Sequence, residues 1–182
     1  MHPNSKGIVL KYLKQFNIPI ADLEIGTHQY DFKIDGKFFE SFEGSEINKC
    51  HVILHLELLR QIEIIVLQFH LKGTVELICD RCLDPFDLPI DHTEIVELKF
   101  LSRGSKAKKE EEDYILPEQQ EIDIRQYIYD FICLQIPFRR VHPEDKNGKS
   151  MCDEEVLRKI EELSIKKDTD PRWDQLKDLQ NN

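Results

Sequence analysis

The sequence predicts an α+β protein whose antiparallel sheet, strongly curved or barrel-like, comes from the N-terminal half and is covered by C-terminal helices. Two observations predict this class. In the first hundred residues, apolar and polar side chains alternate with period two, as in half-buried strands. After residue 120, apolar side chains recur instead at helical spacing. We therefore expect a single α+β domain over residues 1–164 and a tail over 165–182.

Three strand-like runs follow one another in the first half of the chain. In the run 30–34, apolar side chains alternate with polar ones, and Asp35 and Gly36 after it favour the tight turn of a hairpin. A second run, 52–58, alternates in the same way. The third changes phase between 62 and 71, which predicts a bulge or a strand buried on both faces. Such closely spaced runs favour an antiparallel meander.

A long strand and a charged loop come next. Apolar side chains at even positions of 86–100, interrupted in the middle, predict a long and bent strand. Between Lys99 and Lys109 lie five basic residues and no acid, and four acidic residues follow at once. Opposed charge blocks of this kind indicate a solvated, mobile loop near 102–113. Its candidate contacts to an RNA backbone are Lys106, Lys108 and Lys109.

Helix start and stop signals mark the second half. Asp123 is the predicted N-cap of a helix that Pro137 ends, and Asp153 is the predicted N-cap of a second helix. In the tail, Asp170 and Pro171 favour a short third helix. A helix of that length is not stable alone, so we expect it to dock on the body or on a partner. The residues that would make this contact are Asp170, Pro171, Arg172, Trp173 and Leu176.

Charge and composition restrict the classes of function. Among 182 residues, 25 are Lys or Arg and 35 are Asp or Glu, so the net charge is −10. That charge repels naked duplex DNA and suits a basic protein surface, or RNA already coated by basic proteins. No apolar run approaches the roughly 20 residues of a membrane span, and no secretory signal pattern is present. We expect a cytoplasmic protein with no membrane partner, and its five cysteines suit a reducing compartment.

Cys79 and Cys82 stand three positions apart, directly after a strand-like run. Such a pair can share a soft metal ion or form a redox couple. A closed zinc site needs four nitrogen or sulfur ligands, so the chain must supply two more. The best candidates are His142 and Cys152, although their separation of ten positions is wider than usual. The alternative is a pair of reduced thiols at a strand-to-turn junction, with no cofactor.

Motifs that carry catalysis are missing from the sequence. A thioredoxin-type role conflicts with Pro85 and the strand pattern after it, because that redox motif opens a helix. The segment 148–150 resembles the end of a phosphate-binding loop, but Pro143 occupies the position of the required earlier glycine. There is also no nucleophile elbow, zincin helix motif or dinucleotide fingerprint. We therefore do not expect an enzyme.

Three arginines are further candidates for contact with RNA. Arg81, presented by a turn, could offer its forked donors to a phosphate. The alternative is a pairing with a neighbour, which contributes little on a solvated turn. Arg139 and Arg140 form a compact basic pair after the first predicted helix, with a solvated loop edge as the alternative.

Several segments, taken in order, resemble the YceD family, the large ribosomal RNA subunit accumulation proteins of bacteria. The most specific are Cys-Asp-Arg-Cys-Leu at 79–83 and Asp-Pro-Arg-Trp at 170–173. The other matching segments lie at 23–35, 38–39, 73–75, 122–123 and 134–137, with Leu176 after the last motif. Together they extend over most of the chain.

The resemblance implies a cytosolic, non-enzymatic factor that supports normal levels of 23S ribosomal RNA through processing, stability or assembly of the large subunit. Its partner would be large-subunit ribosomal RNA or the pre-ribosomal particle. Many members carry a second cysteine cluster after the Leu-x-x-Pro element, and with the first pair it would look like a metal site. This chain keeps His142, Gly148 and Cys152 in that region but lacks the full cluster, which weakens the expectation of zinc.

Two rival functions stay open. An acidic protein-binding module could escort a basic ribosomal protein, using the acidic surface and the tail around Trp173. A thiol- or metal-dependent catalyst could instead be centred on Cys79 and Cys82. Replacing both cysteines by serine would then abolish function without loss of folding, whereas loss of a structural zinc site would lower stability as well.

Overall fold

The structure, a computed structural model, describes residues 12–101 and 114–164. These residues form two compact units. The first, which we call the sheet unit, contains the described residues up to 77 and from 85 to 140. The second, which we call the cysteine unit, contains 78–84 and 141–164. The predicted loop with Lys106, Lys108 and Lys109 and the predicted tail over 165–182 lie outside the described residues.

Seven strands form two sheets within the described residues. In chain order they are β1 (Asn17–Pro19), β2 (Gly26–Asp35), β3 (Cys50–Arg60), β4 (Ile64–Ile78), β5 (Pro85–Phe100), β6 (Tyr114–Ile115) and β7 (Glu121–Asp123). The larger sheet has the order β2-β3-β4-β5-β6, and β1 pairs antiparallel with β7 in the smaller one. Strands β2, β3 and β4 pair antiparallel, whereas β6 pairs parallel with β5. The combination of these sheets with helices confirms the α+β class. The large sheet has two edge strands, β2 and β6, and is not closed, so the predicted barrel-like curvature is not confirmed.

A 3₁₀-helix at Lys14–Phe16 and three α-helices complete the described residues. The α-helices are α1 (Gly36–Phe39), α2 (Arg125–Leu134) and α3 (Glu154–Leu163). Ile124, Ile128 and Ile132 recur every four residues and are fully buried, so one face of α2 enters the core. The rings of Tyr127 and Phe131 lie 5.9 and 5.2 Å from the ring of Phe69 in β4. Helix α2 therefore covers the inner face of the sheet, as its apolar spacing predicts. None of the helices described here is long and apolar enough to cross a membrane.

One local prediction is wrong, and a second is decided between its two alternatives. The Asp35-Gly36 pair does not form a hairpin turn, because the Asp35 carboxylate accepts a hydrogen bond from the backbone N–H of Lys37 at 3.1 Å and caps α1. The change of phase within 62–71 is not a bulge in the pairing of β3 with β4, whose register runs without interruption from Arg60 and Ile65 to Cys50 and Val75. The other predicted alternative fits better, since Ile64 and Val66 are half-buried on the face opposite the buried odd positions of β4.

Gly73 in β4 is paired with Val52 in β3, and an alanine there should destabilise the sheet. A Cβ atom on Gly73 would stand 2.0 Å from the carbonyl oxygen of His51 and 2.7 Å from the Cα of Val52. We expect Gly73→Ala to lower the free energy of unfolding by about 3 kcal/mol, because backbone atoms must move apart. Gly44→Ala is the control, since it has a left-handed φ of +81° but no atom within 4 Å, and it should cost only about 1 kcal/mol. Urea unfolding measures both, and equal losses would contradict the steric explanation.

Asp123 precedes α2, and its ionisation should make stability depend on pH. Partial burial alone would raise the pKa of Asp123, but hydrogen bonds from the guanidinium and backbone N–H of Arg125 hold that pKa below its ordinary value. A lowered folded-state pKa stabilises the protein above the unfolded pKa of about 3.9, and the contribution is lost as the pH falls through the folded pKa. We expect Asp123→Asn to cost about 1 kcal/mol at pH 7, allowing for partial exposure, and clearly less at pH 3. Urea unfolding of both proteins at the two pH values measures this, and a constant difference would refute it.

Candidate metal centre

Four side chains that stand up to 73 positions apart in the chain meet at one place in the cysteine unit. They are Cys79, Cys82, His142 and Cys152, and their ligand atoms all lie within 4.8 Å of one another. The sulfur atoms of Cys79 and Cys152 are 3.7 Å apart, and the sulfur of Cys82 lies 3.3 Å from Nδ1 of His142. The structure thus brings together the four residues that the sequence singled out as candidate ligands.

Two of the distances between these atoms match those expected around a single tetrahedral ion. With ordinary zinc–sulfur and zinc–nitrogen bond lengths, two sulfur ligands stand about 3.8 Å apart and a sulfur and a nitrogen about 3.5 Å apart. The corresponding distances in the cluster are 3.7 and 3.3 Å. Three thiols and one imidazole are also a ligand set that zinc takes in structural sites. The residues present therefore suit zinc in both number and chemistry.

Cys79 and Cys82 are held by a tight turn that follows β4. The backbone N–H of Cys79 donates to the carbonyl of Asp84 at 3.0 Å, and the N–H of Leu83 donates to the carbonyl of Cys79 at 2.9 Å. The N–H of Arg81 points at the sulfur of Cys79, 3.4 Å away. Leu83 completes the turn with a φ of +64°, a left-handed conformation that costs a residue with a Cβ about 1–2 kcal/mol.

His142 and Cys152 are brought together by a hairpin, although their separation of ten positions in the sequence did not suggest one. Backbone hydrogen bonds at 2.8 Å from Asp145 to Lys149 and at 3.1 Å from Met151 to Pro143 close its two arms. The turn between them contains Gly148, whose φ of +78° is left-handed. An Asn-Gly pair is among the strongest hairpin signals in a sequence. Asn147-Gly148 could therefore have resolved the objection that ten positions are too wide for a ligand pair.

Arg81 links the two ligand segments through Ser150. Its guanidinium donates to the hydroxyl oxygen of Ser150 at 3.3 Å, and the same oxygen accepts from the backbone N–H of Cys152 at 3.3 Å. The contact gives Arg81 a role in positioning the ligand loops. Its contact with RNA stays a prediction.

Burial and hydrogen bonding act on the thiols in opposite directions. Burial alone would raise the pKa of Cys79, but the backbone N–H groups of Cys82 and Arg81 and the contact with His142 lower it to about 6. For Cys82, burial dominates and raises the pKa. Hydrogen bonds that favour the thiolate of Cys79 suit a metal ligand, because the deprotonated sulfur is the form that binds.

The three cysteines of the cluster also form the interior of their unit. Cys79, Cys82 and Cys152 are 0%, 7% and 4% exposed, and no other described residue of the cysteine unit is buried. The continuous hydrophobic core belongs to the sheet unit, where Cys50 is a core residue and burial raises its pKa to about 12. The cysteine unit therefore has no apolar core of its own within the residues described.

The other predicted site residues are not part of the ligand cluster: two lie in the sheet unit, and the rest lie outside the residues that the structure describes. Arg139 is exposed in the sheet unit, and Arg140 forms an ion pair with Glu46 at 2.6 Å. The basic pair thus offers one exposed guanidinium and one held by a carboxylate. The Lys106 to Lys109 loop and the docking residues from Asp170 to Leu176 belong to segments that the structure does not describe.

Comparison with known proteins gives one match, and it extends over this site. The sequence model of one family, described as large ribosomal RNA subunit accumulation protein YceD, matches residues 67–180. That range includes all four candidate ligands. No curated protein and no solved structure gives a significant match. Because the family match extends over more than half of the chain, the protein belongs to the YceD family of large ribosomal RNA subunit accumulation proteins.

Proposed function

We propose that the protein is a non-enzymatic, cytoplasmic factor that supports accumulation of 23S ribosomal RNA by acting on that RNA or on the large-subunit precursor particle. Membership of the YceD family is the observation that carries this proposal. The exposed Arg139 supports a contact with the RNA backbone, because a guanidinium binds phosphate oxygens through its forked donors.

Cys79, Cys82, His142 and Cys152 would hold one zinc ion with a structural role. The cysteine unit has 31 described residues and buries only its three cysteines, so hydrophobic burial cannot hold it together. Zinc, when bound, would supply the missing link between the turn and the hairpin. In small domains of this kind the free energy of metal binding is also free energy of folding.

The ligand count argues for structure rather than catalysis. Catalytic zinc sites have three protein ligands and keep a fourth position open for water or substrate, whereas closed sites use four. The cluster provides four ligand atoms, which would leave no open position. This supports the proposal that the protein is not a metal-dependent enzyme.

The second candidate function, escort of a basic ribosomal protein, has one observation in its favour. The described residues of the cysteine unit include nine Asp or Glu and only five Lys or Arg. Such a surface attracts a cationic polypeptide and repels a phosphate backbone. The particle-bound factor and the escort are distinguished by whether the protein travels with precursor particles.

The metal content of the purified protein tests the zinc site. We expect about one zinc ion per chain by elemental analysis, in keeping with a closed four-ligand site. Cys152→Ser should lose the zinc and unfold the cysteine unit, seen as lost dispersion of its amide signals in NMR spectra. The control is Cys133→Ser, which changes a half-buried thiol of the sheet unit and should leave both the zinc content and the fold of the cysteine unit unchanged. Full zinc content in Cys152→Ser, or a folded cysteine unit in metal-free protein, would refute the structural role.

Sedimentation of cell extract through a sucrose gradient tests the association with precursor particles. We expect the protein to migrate with large-subunit precursors at low salt and to be released at moderate salt, because phosphate contacts weaken as salt rises. Arg139→Glu should reduce comigration, whereas Lys14→Glu, the same change of charge sign at another exposed residue, should not. Confinement to the free fraction at low salt would reject the particle-bound role and favour the escort.

A further inference from the structure

Exposed apolar side chains are concentrated in the smaller of the two units. The described residues contain twelve large hydrophobic side chains that are exposed, and five of them belong to the cysteine unit. These five are Ile78, Leu83, Met151, Ile160 and Leu163. A unit this small would be expected to hold fewer, so the apolar side chains are a candidate contact surface.

Three of them, Ile78, Leu83 and Met151, are adjacent in the chain to a candidate ligand, and Leu83 and Met151 are the most exposed of the three. Leu83 follows Cys82 and is 74% exposed, and Met151 precedes Cys152 and is 60% exposed, against 52% for Ile78. Because the four ligand atoms lie within 4.8 Å of one another, the backbones of Leu83 and Met151 lie beside the same cluster. The hydrogen-bonded turn and hairpin hold the backbone of both in place. Methionine is among the residue types enriched at the centre of protein interfaces.

Stability does not account for leucine at position 83. Its left-handed φ of +64° favours glycine or asparagine, and its side chain buries little surface in return. Asparagine at this position would relieve the backbone without removing any buried contact. The leucine side chain thus strains the turn and gains little burial in return, which points to a role outside the folded chain.

The charges around these two side chains indicate the chemistry of the partner. Within the described cysteine unit, acidic residues outnumber basic ones by nine to five. Three of the basic side chains already pair with Glu154, Glu155 and Glu162, and the Arg81 guanidinium donates to Ser150. Such a surface repels nucleic acid phosphates and attracts lysine- and arginine-rich chains.

We propose that Leu83 and Met151 form the apolar centre of a docking surface for a basic, amphipathic polypeptide segment. Asp80, Asp84 and Asp153, each next to a ligand or within two positions of one, provide negative charge for the segment's lysine and arginine side chains. An apolar centre with a charged rim is the usual anatomy of a specific interface, and methionine adapts its shape to different partners. The docking surface rests on the proposed function in one respect: a factor that acts on ribosomal precursors would meet ribosomal proteins, which are basic chains.

Binding of defined probes to the full-length protein tests the surface. The first probe is a synthetic peptide with lysine and leucine at helical spacing, the second is the same peptide with every leucine replaced by serine, and the third is oligouridylate RNA. Fluorescence anisotropy should show binding of the first probe, with at least a tenfold weaker affinity for the second and none for the RNA. Equal binding of both peptides, or tighter binding of the RNA, would overturn the proposal.

Two variants separate docking from a structural role. Leu83→Asn and Met151→Gln should each weaken binding of the lysine-leucine peptide about tenfold, while Ile62→Asn, at a residue 82% exposed in the sheet unit, should leave it unchanged. Leu83→Asn should also keep the metal content and raise the unfolding midpoint, because asparagine accepts the left-handed backbone. Loss of metal or stability in Leu83→Asn, or unchanged peptide binding, would overturn the proposal.

The sedimentation behaviour of the unmodified protein keeps this inference distinct from the proposed function. Comigration with large-subunit precursors but no binding of the lysine-leucine peptide would overturn the docking surface alone. Binding of the peptide by a protein confined to the free fraction would support the docking surface and reject the particle-bound role.

Discussion

The cysteine unit depends on one interaction, the meeting of Cys79, Cys82, His142 and Cys152. Its described residues bury no other side chains than the three cysteines, so nothing else there excludes water from a common interior. The turn that carries the first pair and the hairpin that carries the second are each held by backbone hydrogen bonds, which are local. What joins them is the ligand cluster, with the contact of Arg81 to Ser150 beside it. The turn and the hairpin, with the exposed residues next to the ligands, therefore depend on this cluster for their positions.

The two units of the chain are stabilised by different physical effects. The sheet unit has a continuous hydrophobic core in which the strictly alternating side chains of β3 meet the isoleucine face of α2. Burial of apolar area is non-directional and tolerates changes that keep volume and pattern. The cysteine unit brings four donor atoms together instead, and in the proposed zinc site replacing one of these side chains would remove a quarter of the coordination. Substitutions in the two units should therefore have different consequences for the fold.

Function follows from what each unit exposes. In the sheet unit, Arg139 is the exposed member of a basic pair whose other member, Arg140, is bound to Glu46. In the cysteine unit, Leu83 and Met151 are exposed among acidic residues. A factor that takes part in building a ribosomal particle meets both RNA and basic proteins, and these two surfaces have complementary chemistry. The family membership agrees with such a role without naming either contact.

Local patterns in the sequence determined much of this protein. Alternation predicted the strands, four-residue spacing predicted the buried face of α2, and Asp153 was correctly identified as the N-cap of α3, where it accepts from the N–H of Val156 at 2.9 Å. These features depend on neighbours a few positions away, so they can be read from a short window. The turn signals were less reliable, because an aspartate such as Asp35 can begin either a helix or a hairpin, and here it caps α1. Gly36 is needed for a different reason than a hairpin turn, since a side chain there would collide with the carbonyl of Asn48.

Only the tertiary structure decided which of the candidate residues meet. The sequence supplied Cys79 and Cys82 as a pair and named His142 and Cys152 as candidates, but their distance from the pair depends on the path of the whole chain. The hairpin around Asn147-Gly148 and the return of the chain after residue 140 bring the four ligand atoms within 4.8 Å. The open ends of the sheet, the contact between Arg81 and Ser150, and the exposure of Leu83 were likewise decided there. Closeness in space between distant residues is a property of the packed chain, and spacing along the sequence does not specify it.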